Sequence, residues 1–164
     1  KKPYCMLQYS DLSAEEQTRY VKRSLFYGMF PSNQAAPDGS WYWNDPLVVA
    51  RHRPVFERYV PLIKEVAEAG WQPVTFATSD NEQIWLEQYG EGETFYITAF
   101  NPGAEHTGAW ITMDARSGIN TTAKLEELVN STDVAWDGAS KEPAFRIELD
   151  PEDVAVVRVS SAKR

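Results

Sequence analysis

The apolar positions of this chain fall into two regimes. Up to about residue 70 they come in helix-spaced groups alternating with short oily runs, and beyond it in brief alternating runs broken by turn residues. The opening run at 4–9, Tyr-Cys-Met-Leu-Gln-Tyr, is mostly apolar at both parities, the pattern of a strand covered on both faces in a parallel sheet. Such a strand wants neighbours, so we read it as belonging to a larger body. Ser13-Ala14-Glu15-Glu16 is a capping box, which predicts a helix starting there. Tyr20, Val21, Leu25, Phe26 and Tyr27 give that helix an apolar face, and Gly28 supplies a left-handed stop. Residues 29–32 read as a second strand, and a loop of turn formers at 33–40 leads into Trp41-Tyr42-Trp43. Asp45-Pro46 is a helix entrance, carboxylate as cap and proline at the first helical position. Val55, Phe56, Tyr59, Leu62, Ile63, Val66 and Ala67 then follow at three-and-four spacing up to Gly70. Pro54 and Pro61 each delete an amide donor, which predicts a break or re-entry at the first and a bend at the second.

The second regime predicts strands at 74–78, 84–89, 94–100, 109–113, 144–149 and 154–159, separated by Asn-Pro-Gly, Ser-Gly and Asp-Pro turn signals. Phe95, Ile97 and Ala99 alternate with Tyr96, Thr98 and Phe100, and Phe145, Ile147 and Leu149 with Arg146, Glu148 and Asp150. This spacing describes an antiparallel sandwich. Residues 124–129 read equally as a short helix or a strand. The chain is therefore of α+β class, in two parts, 1–70 and 71–164.

Composition narrows the chemistry. At 164 residues and 43% hydrophobic, the chain can build a core without disulfides or metal. With 24 acidic against 16 basic residues, net −8, it offers no footprint for nucleic acid or an anionic membrane surface, and no apolar run is long enough to span a bilayer. Cys5 is the single cysteine and His52 and His106 the two histidines, which excludes disulfide frameworks and Cys/His metal sites. No cofactor or metal is expected. Any chemistry falls to carboxylates.

Several phrases carry a resemblance. Arg23-Ser24-Leu25-Phe26-Tyr27-Gly28-Met29-Phe30-Pro31-Ser32, Tyr42-Trp43-Asn44-Asp45-Pro46, Gly70-Trp71-Gln72-Pro73-Val74-Thr75, Trp85-Leu86-Glu87-Gln88-Tyr89-Gly90, Thr98-Ala99-Phe100-Asn101 and the ending 149–159 are spread over most of the sequence. Together they resemble the C-terminal portion of a (β/α)8-barrel glycoside hydrolase with its β-sandwich. The resemblance implies terminal βα units of a barrel followed by an antiparallel β-sandwich domain, with 4–9 as the seventh barrel strand and 29–32 as the eighth. It implies a carbohydrate substrate, and as partner the N-terminal barrel portion of the same parent. It also implies that at least one of the two catalytic carboxylates lies on earlier strands, which leaves the isolated chain inactive.

Barrel sites form at the carboxyl ends of strands. On that geometry Gln8, Asp11 and Asn33 contact substrate, together with Trp43, whose flat face suits a sugar ring. Plainer readings stand beside these: Asp11 as part of a helix cap, Trp41 to Trp43 as an interface plug, and Asp45 as a cap. Arg51, His52 and Arg53 either bind an acidic sugar or form a solvated helix face paired with glutamates. Cys5 reads as a buried thiol, His106 as surface without a sequence partner, and the Asn120 and Asn130 glycosylation patterns as incidental. Asp80-Asn81-Glu82 and Asp150-Glu152-Asp153 read as turns rather than calcium loops. A different class of function stays open: a non-catalytic carbohydrate-binding module with a platform of Trp85, Trp110 and Trp136, or a structural interaction module.

Overall fold

The computed structural model describes residues 4–7, for which only the backbone is considered, 12–33 and 44–161. It is α+β, with two helices and antiparallel sheets, and divides into two compact units, residues 1–67 and 68–164.

In the first unit β1 (Tyr4–Leu7) and β2 (Phe30–Asn33) pair in parallel, Tyr4 opposite Phe30 and Leu7 opposite Asn33, with helix α1 (Ala14–Phe26) between them in sequence. The second strand lies one residue later than expected. The capping box closes as read: the Glu16 amide donates to Ser13 Oγ at 3.1 Å, and the Ser13 amide to Glu16 Oε2 at 2.8 Å. These bonds hold the Glu16 carboxyl below its usual range. At the other end Gly28 takes φ 58, its amide reaching Leu25 O and that of Met29 reaching Ser24 O at 2.9 Å. This is a Schellman stop, which needs a left-handed residue and so favours glycine. Helix α1 buries Gln17, Val21, Ser24, Leu25 and Phe26, whereas Tyr27, at the cap, is 43% exposed and drops out of the expected apolar face.

Helix α2 (Pro46–Ala69) corrects the break expected at Pro54, since it runs unbroken for 24 residues through Pro54 and Pro61. Both prolines are exposed, as are Ala50 and Glu57, the residues whose carbonyls lose an amide partner. Carbonyls on an open helix face can tilt toward solvent, so the helix does not have to break. Asp45 caps it, Oδ1 accepting from Leu47 N at 2.8 Å and Val48 N at 3.3 Å. Gly70, at φ 89, follows its last turn. No helix among the described residues is long and apolar enough to cross a membrane.

The second unit holds two antiparallel sheets. One runs β3-β6-β8, from β3 (Ala77–Ser79), β6 (Thr107–Met113) and β8 (Ala144–Leu149). The other runs β4-β5-β9-β7, from β4 (Trp85–Tyr89), β5 (Thr94–Phe100), β9 (Val154–Ser160) and β7 (Lys124–Glu127). Six expected strands are present with small shifts, the largest at β3, which begins at Ala77. The ambiguous segment is the strand β7. Side chains of both sheets share one core, including Phe95, Ile97, Ile111, Phe145, Ile147, Leu149, Val157 and Val159.

The two sheets differ on their other faces. In the three-stranded sheet Arg146 and Glu148 point away from the core and are exposed, giving the alternation read from sequence. In β5 the opposite set is buried as well: Tyr96 at 8%, Thr98 at 0% and Phe100 at 1% exposure. Two polar side chains fasten the edges. Asn101, fully buried, donates from Nδ2 to the carbonyls of Glu105 (2.8 Å), Asp150 (3.0 Å) and Leu149 (3.4 Å), and accepts Gly103 N at 2.9 Å. Glu127, buried at the end of β7, accepts from the amides of Val129 (2.8 Å), Asn130 (2.7 Å), Thr132 (3.4 Å) and Val156 (3.4 Å). That carboxylate moulds the loop at 128–132, in which Ser131 adopts φ 55.

Candidate functional site

Because Leu7 stands opposite Asn33, the carboxyl ends of β1 and β2 are level. Helix α1 fastens the second of these ends. Tyr20 Oη accepts the Ser32 amide at 3.0 Å and faces the Ser32 carbonyl at 3.3 Å, and Asn33 Nδ2 donates to Gln17 Oε1 at 2.9 Å. Gln17 is itself fully buried, so the Asn33 amide is held in a fixed orientation. Its Oδ1 is buried without a hydrogen-bond partner, an acceptor in want of a donor. Of the four residues expected to touch substrate, Asn33 is therefore at the strand end and oriented. Gln8, Asp11 and Trp43 lie outside the described residues, as do Trp41, Tyr42 and the Cys5 side chain.

The alternatives resolve unevenly. Asp45 is a helix cap. Arg53 pairs with Glu57 at 2.6 Å on an exposed helix face, as the solvated reading has it. His52 is fully buried instead of solvated, with Nε2 3.0 Å from the Leu12 carbonyl oxygen and 3.0 Å from Arg51 Nε. Burial pushes its pKa down. His106 does have partners, distant in sequence. Asp150 Oδ1 lies 2.9 Å from Nδ1 and Glu148 Oε2 3.4 Å from Nε2, and the Asp150 bond is the main cause that raises its pKa. Nothing at position 106 announced a carboxylate 44 residues away. Asn81 Oδ1 accepts the Gln83 amide at 3.0 Å, which is turn chemistry, whereas Asp80 accepts the Trp110 amide at 2.8 Å, a bond to β6 thirty residues on. No acid cluster that could hold a metal occurs among the described residues.

The three platform tryptophans do not form one surface. Trp136 packs edge-on to Phe145 with ring centroids 5.7 Å apart and donates Nε1 to Ala123 O at 2.7 Å. Trp110 lies under the Arg146 guanidinium at 5.8 Å. Trp85 alone of the three is exposed, at 46%. The more open indole is one the sequence reading did not select for binding: Trp71, 58% exposed, with Nε1 donating to Glu87 Oε2 at 2.7 Å.

No family model and no curated protein matches the sequence. Solved structures do match, glycoside hydrolases among them. One is an α-amylase from Geobacillus thermoleovorans, complexed with acarbose, 12% identical at TM-score 0.57 over 90% of this chain and 34% of that one. Another is a family 30, subfamily 8 xylanase from Clostridium acetobutylicum, 10% identical at TM-score 0.55 over 98% of this chain and 43% of that one. An α-amylase from Anoxybacillus is 14% identical at TM-score 0.53 over 88% and 33%. The fold is that of part of a glycoside hydrolase. This chain spans between about a third and two-fifths of the length of these enzymes.

Proposed function

We propose that this chain is the C-terminal part of a carbohydrate-active glycoside hydrolase, with β1 and β2 as the last two strands of its (β/α)8 barrel. In this reading the two antiparallel sheets are an accessory sandwich. The observation that carries it is the parallel β1–β2 pair with level carboxyl ends and a helix between them in sequence. Parallel strands occur almost only in larger sheets covered on both faces, and a two-stranded sheet is marginal by itself. The fold likeness to glycoside hydrolases over about a third of their length supports the same reading.

Asn33 is then a substrate-positioning group at the mouth of the barrel, with Gln8, Asp11 and Trp43 in the adjoining loops. One carboxyl group must protonate the leaving oxygen while another attacks or activates water, and both belong to strands supplied by the rest of the barrel. The isolated chain is expected to hydrolyse no aryl glycoside.

Expression of the longer reading frame tests this. Roughly 300 or more preceding residues of alternating strands and helices are expected, by the usual size of the fold with insertions. Their product should hydrolyse a glycoside, and Asn33→Ala should raise its KM. Turnover by the isolated chain that Asp11→Asn abolishes would overturn the missing-carboxylate argument, and an upstream frame without strand–helix alternation would overturn the barrel.

A further inference from the structure

The four-stranded sheet changes character along its outward face. Leu86 of β4 packs on the shared core, so Trp85, Glu87 and Tyr89 stand on the other side, opposite Phe100, Thr98 and Tyr96 of β5. Most of this face is dry: Tyr89, Phe100, Thr98, Val154 and Val156 are all buried. The dryness stops at β4, the edge strand. Trp85 is 46% exposed, although its ring centroid lies 6.0 Å from that of the buried Phe100. Residues 70–72 continue the edge: Gln72 N donates to Gln88 O at 2.9 Å, and Trp71 is bridged to Tyr89, which puts its side chain on the outward face as well. Trp71 is 58% exposed, and Val74 just beyond it is exposed too. The Trp71 indole is held in place, with Nε1 donating to Glu87 Oε2 at 2.7 Å. Glu87 thus touches one indole and stands two residues from the other on the same face, so the three form one rim.

We propose that this rim is a surface on which the N-terminal portion of the parent chain docks. The proposal rests on the reading of this chain as the closing part of a barrel enzyme, and adds a second place where the two parts meet, in the unit that holds no barrel strand. Continuity is the first argument. The rim borders a face that is already dry, so one apolar element laid over Trp71 and Trp85 completes the cover of the sheet. Size is the second. Two indoles of this exposure present roughly 250 Å² between them, against about 800 Å² a side in a free-standing complex. A surface that small holds its partner only at the high effective concentration that a covalent tether provides, which a segment of the same chain has and a second copy lacks. Chemistry is the third. The Trp71 N–H is already satisfied by Glu87, so covering this indole orphans no donor. Glu87 Oε1 makes no bond among the described residues, so the covering element is apolar over the indoles and brings a hydrogen-bond donor to that oxygen.

Hydroxyl-radical footprinting read by mass spectrometry tests this, comparing each tryptophan in this chain and in the longer protein. Trp71 and Trp85 should oxidise roughly fivefold more slowly in the longer protein, the ratio between half exposure and burial, while Trp136, packed on Phe145, keeps its rate as the internal reference. Trp71→Ala and Trp85→Ala, made separately, should lower the thermal midpoint of the longer protein by more than they lower that of this chain alone. Equal oxidation rates in the two proteins would overturn the proposal, as would equal losses of midpoint. So would protection of the two indoles in this chain alone, whether on raising its concentration, which would make the occupant a second copy, or on adding maltoheptaose or xylohexaose, which would make it a sugar chain. A longer protein that hydrolyses a glycoside yet leaves both indoles as reactive as they are here would overturn the docking alone. An upstream frame without strand–helix alternation would overturn the barrel reading and the docking with it.

Discussion

Replacement of Asn101 by alanine isolates what one buried amide contributes to the second unit. The side chain is fully buried and makes three short hydrogen bonds, to Glu105 O, Asp150 O and Gly103 N, at 2.8, 3.0 and 2.9 Å. A neutral bond of this kind is worth about 1 kcal/mol net, so their loss should cost about 3 kcal/mol, a large share of the 5–15 kcal/mol of order expected for a domain. Urea unfolding followed by far-ultraviolet circular dichroism should show a lower midpoint with an unchanged slope. Asn101→Asp sharpens the test. It keeps the acceptor for Gly103 but turns an oxygen toward two carbonyls, so its folded-state pKa rises. Its deficit relative to the parent should shrink as pH falls through that raised pKa, where the protonated acid donates again. An alanine variant within about 0.5 kcal/mol of the parent, the range of ordinary surface substitutions, or an aspartate deficit equal at pH 7 and pH 4, would refute the reasoning.

With two histidines in the sequence, proton NMR should resolve two imidazole titrations on opposite sides of the free value, His106 above it and His52 below. His106 adds stability at pH below its unfolded pKa and loses it as pH rises through the raised folded one; His52 subtracts stability as pH falls below its unfolded value. Unshifted curves would contradict both environments. Pro54→Ala should stabilise the chain by about 2 kcal/mol, since proline in a helix interior costs about 3 kcal/mol against alanine and its restriction of the unfolded chain returns about 1; calorimetry showing no gain would mean the carbonyl of Ala50 is better satisfied than an open helix face allows. Glu127→Gln turns an N–H₂ toward a nest of amides and should cost about 2 kcal/mol or more, with faster hydrogen exchange at 129–132. Unchanged exchange there would show that the loop shapes itself.

The sequence disclosed what is local. Ser13 with Glu16, Gly28, Asp45-Pro46 and Gly70 mark helix ends through contacts within a few residues, and these ends form as read. Strand positions followed from parity. The exception was β7, where Lys124-Leu125-Glu126-Glu127 looks amphipathic at either period because an inward position holds a glutamate. Its justification, four amides converging on that carboxylate, exists only once β9 and the loop are in place. Pro54 leaves its helix unbroken because the residue whose carbonyl it frees, Ala50, is exposed, and that exposure is not written in the local sequence. Asn33 could be assigned to a strand end from spacing. That Gln17, sixteen residues earlier, orients it could not, nor could the Asp150 contact of His106.

The burial of β5 on both sides carries a cost in specificity. A strand with one wet face is aligned by its own pattern, because a shift of one residue would drown an oily side chain. From Phe95 to Phe100 that shift trades one dry surface for another, so burial alone sets the alignment against β9 more weakly and shape must do more of it. A further mark sits at the end of the strand. There the Asn101 amide nitrogen meets the Asp153 carbonyl at 3.0 Å, and the side chain beside it fits one offset alone. Chains that lose this residue are thus exposed to misaligned pairing while they fold, which would appear as aggregate during refolding even where the surviving native molecules look sound.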